Sequence, residues 1–336
     1  MKTKAIIKLA VSLAMLAVVL LSVDFSALKH TLLNIPPTLV ISVILLYAAG
    51  QVISSYKWWL IAKSGRISVP YSIALKSYFM GMYINVFGFG TVGGDVTRGI
   101  LLAQGQPYKT EAITSVLADR AHGLAVLATL AIFAAAIMPP ASLDPTFIYA
   151  LYGIAAIIIL GWILGPKMLL KVVPETSRFR NKLEGIAEVF PKSIQKISYI
   201  TFISLIFHIL QIYIHRLMAV KLGIDIPWSN LLVAIPFVNI LGSLPISWQG
   251  LGVRETAYIF FLANYISSEQ AIAFGAMWFL GVTASSAIGG ITSAITGDLT
   301  TFLGKRSQKE HPRHSNSSDN IKENNERLLQ SQNLKN

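Results

Sequence analysis

Residues 71–98 read YSIALKSYFMGMYINVFGFGTVGGDVTR, an apolar stretch that glycines interrupt before a carboxylate and an arginine end it. A helix that crosses a bilayer needs about 20 consecutive apolar residues. The apolar segment that follows the glycines, residues 95–104, is too short for a crossing. Irregular backbone at membrane depth is tolerated only where protein or a water-filled cavity surrounds it. The stretch therefore predicts a re-entrant hairpin, which enters and leaves the membrane on the same side.

A second stretch has the same character. Residues 228–252 are apolar but interrupted by glycine, proline and polar side chains, and the short apolar segment 253–264 follows them. The same reasoning predicts a second re-entrant hairpin. Each broken stretch carries a short charged motif, which reads GGDVTR at residues 93–98 and LPISWQGLGVRE at residues 244–255.

The composition of the whole chain indicates a membrane protein. Of the 336 residues, 54% are hydrophobic and only 13% are charged, whereas soluble domains average about 25% charged residues. The mean hydropathy is +0.59. These values exclude a soluble globular enzyme, a disulfide-rich secreted domain and a disordered chain. The sequence has no cysteine, so disulfides, iron–sulfur clusters and thiolate chemistry are excluded as well.

Six longer runs predict membrane-spanning helices, and the fold class is therefore an all-α polytopic membrane protein. A signal peptide is the alternative for the first run, but its apolar core would be about 7–15 residues, shorter than this run. The second run ends at Lys57, Trp58 and Trp59, a cation and aromatics typical of a membrane interface. The predicted spans are residues 5–23, 36–56, 111–138, 147–164, 197–220 and 271–299.

The positive charges indicate the sidedness of the chain. Cytoplasmic loops are enriched in Lys and Arg, and the lysines at positions 2, 4 and 8 place the N-terminus in the cytoplasm. The basic loop before residue 197 and the C-terminal tail share that side only if each broken stretch enters and leaves on one side. Eight full spans would satisfy the same rule. Residues 1–303 are predicted as one membrane domain and the polar residues 304–336 as a disordered cytoplasmic tail.

The two broken stretches belong to a weak internal repeat. A shift of 158 residues places Gly94 on Gly252 and Glu111 on Glu269. The halves, about residues 36–138 and 197–299, each contain a span, a glycine-rich break, a short helix and a second span. Because the two hairpins open from opposite sides, the halves are predicted to be inverted repeats, a plan that recurs among transporters.

The charges at the breaks form the sharpest candidate site. Asp95 is a suitable N-cap for the helix after the glycines, and Arg98 lies three residues later on the same face. Glu255 falls in the first turn of the second short helix, where the helix dipole favours an acid. Helix N-termini and arginines that face the protein centre form an anion site. The alternative is that both arginines, Arg98 and Arg254, reach out to lipid headgroups.

Polar residues within the other spans have two interpretations. Asp119 and Arg120 lie at a depth where charges need a partner or a polar cavity, although the pair could serve packing alone. His208, Gln211 and His215 form one stripe, which predicts interhelical hydrogen bonds, with a proton relay or the lining of a hydrophilic path as the alternative. No metal site or cofactor is predicted. Close helix packing is predicted for the small residues of the last span, Ala284, Ser285, Ser286, Gly289, Gly290 and Ser293.

The three motifs resemble a known family. GGDVTR at residues 93–98, the Asp119–Arg120 pair and LPISWQGLGVRE at residues 244–255 resemble signatures of the lysylphosphatidylglycerol synthase transmembrane region, or flippase-like, family. The resemblance covers about residues 5–300. It implies a multi-pass protein of a prokaryotic cytoplasmic membrane, in a family whose bifunctional members move aminoacylated phosphatidylglycerol between leaflets. A soluble domain makes that lipid in those members; here only a polar tail follows residue 303, so its synthesis is not expected.

The leading hypothesis is a translocase for a lipid with an anionic headgroup, either a phospholipid or a lipid-linked precursor. The expected partners are membrane lipids and not nucleic acid, because the basic residues lie in membrane-flanking loops. The alternatives are a membrane-embedded enzyme or accessory subunit in phospholipid or glycolipid synthesis, with Asp119 and His122 as its base, and a small-solute carrier. The predicted substrate-binding residues are Gly93, Gly94, Asp95, Arg98, Asp119, Arg120, Gly250, Gly252, Arg254 and Glu255.

Overall fold

A computed structural model of the protein describes residues 24–65, 67–88, 90–138, 145–172, 176–177 and 180–296, with isolated positions between residues 13 and 21. Throughout this part of the chain the secondary structure is helical, without a strand. The chain divides into two units, residues 1–290 and 291–336. Of the second unit, only residues 291–296 are described, and they are helical. The predicted tail, residues 304–336, lies outside the described residues.

Eleven helices occupy the described ranges. In chain order they are α1 (Phe25–Leu33), α2 (Pro37–Ser64), α3 (Tyr71–Phe87), α4 (Gly90–Leu102), α5 (Lys109–Ile137), α6 (Pro145–Val172), α7 (Arg180–Glu188), α8 (Ile194–Lys221), α9 (Trp228–Ser243), α10 (Val253–Phe261) and α11 (Ser268–Thr296).

Five of these helices are long and apolar enough to span a membrane, namely α2, α5, α6, α8 and α11. They coincide with five of the six predicted spans. The remaining run, residues 5–23, lies almost entirely outside the described residues. The protein is thus a multi-pass membrane protein, while the described ranges neither include a sixth span nor test one.

The predicted ends of two spans are wrong. Helix α2 does not end at Lys57 and Trp58 but continues to Ser64, and both side chains are buried within the protein, with 4% and 0% exposure. Burial is possible because Lys57 has a carboxylate partner and the Trp58 indole donates to Ser115 Oγ at 2.9 Å. Helix α6 likewise continues through Pro166, since membrane helices tolerate proline where neighbouring groups satisfy the freed carbonyl.

The two broken stretches form two pairs of short helices. Helices α3 and α4 pack tightly against each other, and α9 packs against α10 as well as α5 and α8. In the first pair α3 ends at Phe87 and α4 begins at Gly90, and the second pair is joined by residues 244–252. Gly250 and Gly252 have φ angles of +80° and +79°, a conformation that glycine adopts without strain.

Helix α4 begins earlier than the sequence predicts. It starts at Gly90, so Asp95 lies inside the helix and is not its N-cap. The glycines that the sequence suggested as a break are instead helical. Helix α4 approaches α3 closely at Gly94, which is possible because glycine has no side chain. A Cβ at Gly94 would collide with the carbonyl oxygen of Gly81. Glu255, by contrast, lies in the first turn of α10 as predicted.

The small residues of α11 serve close packing, as predicted. Ser285 and Ser286 are fully buried, and Gly289 faces the backbone of α3. A Cβ at Gly289 would collide with the carbonyl oxygen of Phe79. The side chain of Ser293 lies outside the described part of the chain.

We expect the substitution Gly289→Ala to lower the thermal unfolding temperature of the detergent-solubilised protein. The added methyl group meets rigid backbone, and overpacking of this kind costs about 1–3 kcal/mol. Gly161→Ala is the matched control, because Gly161 also lies in a long helix and a Cβ there meets nothing within 4 Å. Equal unfolding temperatures for the two variants would contradict this packing.

Candidate functional site

A polar cavity of about 270 Å³ lies where the two pairs of short helices meet. Its wall includes residues of both pairs together with residues of four long helices, α2, α5, α8 and α11. The charged side chains of the wall are Lys57, Asp95, Arg98, Asp119, Arg120 and Arg254, and the amides are Gln51, Asn85, Gln211, Asn239 and Gln249. In a chain so poor in charge, this concentration marks the candidate site.

Five of the charged residues form a continuous ion-pair chain on the α3–α4 side. Asp119 Oδ1 forms an ion pair with Lys57 Nζ at 3.0 Å, and Asp119 Oδ2 accepts a hydrogen bond from Arg98 Nη2 at 3.1 Å. Asp95 pairs with Arg98 Nε at 3.3 Å and with the Nε of Arg120. Lys57 and the two arginines thus alternate with the two carboxylates, and we call these five residues the paired half of the site.

Arg98 is the most firmly held member of the paired half. Its residue exposure is 4%, and its guanidinium lies 4.8 Å from the ring centre of Trp58 and 4.9 Å from that of Tyr78. Cation–π contacts strengthen when the cation is desolvated. With two carboxylates and two aromatic rings around it, Arg98 supports the wall of the cavity more than it presents a free donor.

The glycine motif of the first pair holds this network in place. The amide nitrogen of Gly94 donates to Asn85 Oδ1 at 2.8 Å, and the carbonyl oxygen of Gly93 accepts from Thr97 Oγ1 at 2.8 Å. Gly81 lies opposite, where a Cβ would be 2.9 Å from Arg98 Cβ. Gly94 and Gly81 therefore set the distance between α3 and α4, and neither Gly93 nor Gly94 is part of the cavity wall.

The part of the cavity wall around Arg254, next to Asn239 of α9 and Trp278 of α11, is called the open half and has Arg254 as its cation. Its Nη1 donates to Asn239 Oδ1 at 2.7 Å, and its guanidinium lies 5.2 Å from the ring centre of Trp278. Within the described ranges, no carboxylate lies within 4 Å of Arg254, and its Nε has no hydrogen-bond acceptor. Arg254 is therefore a cation that retains capacity for an anionic ligand.

Glycines make room for the guanidinium of Arg254. A Cβ at Gly242 would lie 2.7 Å from Arg254 Cζ, and one at Gly250 would lie 2.9 Å from Arg254 Nε. The loop between α9 and α10 also reaches the first pair, because Gln249 Nε2 donates to the carbonyl oxygen of Asn85 at 2.7 Å. One hydrogen bond thus joins the tips of the two helix pairs beside the cavity.

Glu255 points away from the cavity although it follows Arg254 in the sequence. Its Oε2 accepts from the amide nitrogen of Gly252 at 2.7 Å, and its carboxylate lies against Gly275 of α11. The residue is 3% exposed and is absent from the cavity wall. Of the predicted site residues, the wall includes Asp95, Arg98, Asp119, Arg120 and Arg254, while Gly93, Gly94, Gly252 and Glu255 lie outside it and Gly250 lies against Arg254.

The histidines form interhelical hydrogen bonds, as predicted. His208 of α8 bonds with the carbonyl oxygen of Gly123 in α5 at 3.1 Å, and His215 bonds with Tyr258 Oη in α10 at 2.7 Å. His122 pairs with Thr201 Oγ1 at 3.1 Å, whereas the carboxylate of Asp119 is taken by two cations. The acid–base pair that the enzyme alternative needs is therefore not formed. Among the described residues, no group of three His, Asp or Glu is placed to hold a metal ion.

Sequence reasoning missed Lys57 and four of the wall amides, namely Gln51, Asn85, Asn239 and Gln249. Gln51, Ser54 and Lys57 follow one another at intervals of three in α2, and all three line the cavity. This polar stripe within an apolar run was the available signal for Lys57. Asn85 and Asn239 gave no comparable signal, because single amides near glycine or proline are common in irregular segments.

We expect Asp119→Asn to destabilise the protein strongly, by about 3–5 kcal/mol, because loss of one partner leaves buried cations uncompensated. Asp225→Asn is the matched control. Asp225 pairs with Arg216 at 3.1 Å, but its side chain is 93% exposed, so its loss should cost about 0–1 kcal/mol. Thermal unfolding in one detergent compares the two variants. A similar decrease of the unfolding temperature in both variants would contradict the prediction that the ion pairs of Asp119 stabilise the fold.

Comparison with known proteins identifies the family. No curated protein matches the chain. A sequence model of the family described as "Lysylphosphatidylglycerol synthase TM region" matches residues 5–289, a range that includes the whole charged cavity. This family is a membrane domain associated with lipid metabolism. The chain, which passes the membrane several times and encloses a charged cavity among its helices, belongs to the lysylphosphatidylglycerol synthase transmembrane region family.

Proposed function

We propose that the protein is a translocase that moves a lipid with an anionic headgroup across the cytoplasmic membrane of a prokaryote. The observation that carries the proposal is the cavity, where four cations and two carboxylates gather inside an otherwise apolar protein. A charge at the bilayer centre costs about 2.5–3.5 kcal/mol on insertion scales, and such residues mark the paths of charged substrates. The substrate is a phospholipid or a lipid-linked precursor.

The proposed topology has six spans and two re-entrant helix pairs arranged as inverted repeats, with both termini in the cytoplasm. Helix lengths support it. At 1.5 Å per residue, the 13 residues of α4 and the 9 residues of α10 reach about 20 Å and 14 Å, whereas the hydrocarbon core is about 30 Å thick. Broken helices that meet near the midplane are where such transporters bind their substrates.

The chemistry of transfer follows from the two halves of the site. A lipid phosphate that leaves the aqueous headgroup region loses hydrogen bonds to water. Arg254 and Arg120 offer charge-assisted hydrogen bonds in exchange, and a guanidinium can bind two phosphate oxygens at once. Asp95 and Asp119 keep the remaining cations in position. The acyl chains stay in the bilayer, so only the headgroup crosses the polar path.

We expect Arg254→Ala to reduce lipid transfer in proteoliposomes about tenfold or more, because the phosphate loses a charge-assisted hydrogen bond of about 1.5–3 kcal/mol. Transfer is measured with a fluorescent anionic phospholipid and a reductant that bleaches only the outer leaflet. The control is Lys196→Ala, since Lys196 is exposed and lies outside the cavity wall.

Three results would contradict the translocase. Lipid transfer that is no faster with wild-type protein than in empty liposomes would refute the proposal. Uptake of soluble anions without lipid transfer would favour a solute carrier. A chemically altered lipid without leaflet exchange would favour an enzyme.

The re-entrant topology has its own test, helped by the absence of native cysteine. A fluorophore on Phe87→Cys, at the end of α3, should be quenched most by nitroxides near the bilayer centre. The control is Ser68→Cys, because Ser68 is exposed and precedes α3; its fluorophore should be quenched most by headgroup nitroxides. Shallow quenching at both positions would contradict a re-entrant first pair.

A further inference from the structure

We propose that the site prefers a lipid whose headgroup carries two phosphate charges, one bound by each half of the cavity, and that it disfavours an aminoacylated, cationic headgroup. The chemical class is a diphosphate or two linked phosphodiesters. This inference rests on the proposed function, since it names the substrate class of the same cavity, and it follows from how the charges are distributed around the wall.

The charge of each half can be counted from its ion pairs. In the paired half, Lys57, Arg98 and Arg120 face two carboxylates, so three positive and two negative charges leave a net charge of one. In the open half, Arg254 has no carboxylate within ion-pair distance in the described ranges, and Glu255 is turned away into its helix cap. The open half therefore also contributes one positive charge.

The excess charge of the paired half is presented to the cavity by Arg120. Lys57 and Arg98 have side chains that are 5% exposed, and both are bound to Asp119. Arg120 is the last member of the ion-pair chain, and its partner Asp95 also pairs with Arg98. The side chain of Arg120 is 34% exposed. Arg120 thus keeps donors for a ligand, as Arg254 does in the open half.

Two separate positive charges favour two phosphate groups. A single phosphodiester compensates one half and leaves the other uncompensated, in a site where low dielectric makes unpaired charge costly. A headgroup with two phosphates compensates both. An aminoacylated headgroup brings an ammonium group next to two cationic centres, and like charges in a desolvated site repel. The expected order of affinity is two phosphates, then one phosphate, then the aminoacylated form.

The experiment measures lipid binding to the purified full chain in nanodiscs of zwitterionic lipid. The probes are a lipid with two linked phosphodiesters, a polyprenyl diphosphate, phosphatidylglycerol and lysylphosphatidylglycerol. We expect at least one two-phosphate probe to bind about tenfold tighter than phosphatidylglycerol, the effect of one added charge-assisted contact. Which of the two binds tighter distinguishes the sources of the two phosphates.

The variants assign the preference to the two arginines. Arg254→Gln and Arg120→Gln should each bring the affinity ratio of two-phosphate to one-phosphate lipid close to one. Arg254→Lys keeps the charge and should retain a preference. Lys196→Gln, which removes the same charge from an exposed position outside the wall, should leave the ratio unchanged. Thermal unfolding of each variant shows whether the fold is intact.

Equal affinity of wild-type protein for one-phosphate and two-phosphate lipids would overturn the inference, whatever the variants do. Tight binding of lysylphosphatidylglycerol, or a preference that persists in Arg254→Gln and Arg120→Gln, would overturn it as well. The result is separable from the proposed function. Lipid transfer without the preference refutes this inference alone, and the preference without transfer refutes the translocase alone.

Discussion

The carboxylate of Asp119, held between Lys57 and Arg98, is the interaction on which the rest of the site depends. Buried charges are tolerated in an apolar protein only where opposite charges compensate them, and here Asp119 faces both cations while Asp95 also pairs with Arg98. This set joins three helices, because Lys57 belongs to α2, Arg98 to α4 and Asp119 to α5. The short helix α4 is thereby tied to two long spans. A polar cavity with a defined wall can then exist inside an apolar bundle.

The close approach of backbone at glycine is the second requirement. Arg98 reaches Asp119 and the rings of Trp58 and Tyr78 because α4 lies almost against α3 at Gly81 and Gly94. The second helix pair uses glycine differently. There, Gly242 and Gly250 leave space for the guanidinium of Arg254 itself. Glycine therefore fixes the backbone in one half and accommodates the functional side chain in the other.

These two uses of glycine explain what the sequence could and could not predict. Hydropathy located five spans and both broken stretches, since burial in a bilayer depends on runs of apolar residues. Local pattern failed where a tertiary contact reverses a local preference. The glycines before Asp95 are helical because α3 packs against them. Lys57 is buried because it forms an ion pair with Asp119, which lies 62 residues away in the sequence. Glu255 was placed correctly at its helix start, but its direction depends on Gly275 of α11.

In the proposed translocase, the cavity suits a moving ligand because the cations of the paired half have carboxylate partners and the cation of the open half has none in the described ranges. A site with every cation neutralised would hold its shape but offer nothing to a phosphate, whereas a site with no carboxylates would repel itself and not assemble. Here the ion pairs of the paired half stabilise the cavity wall, and Arg254 of the open half has an Nε donor without an acceptor. Because the hydrogen bond from Gln249 to the carbonyl oxygen of Asn85 joins the tips of the two pairs, a ligand that bridges Arg254 and Arg120 would act at the junction of the two halves. Charge compensation by the headgroup would then be coupled to the relative position of the two helix pairs, which is the coupling that alternating access needs.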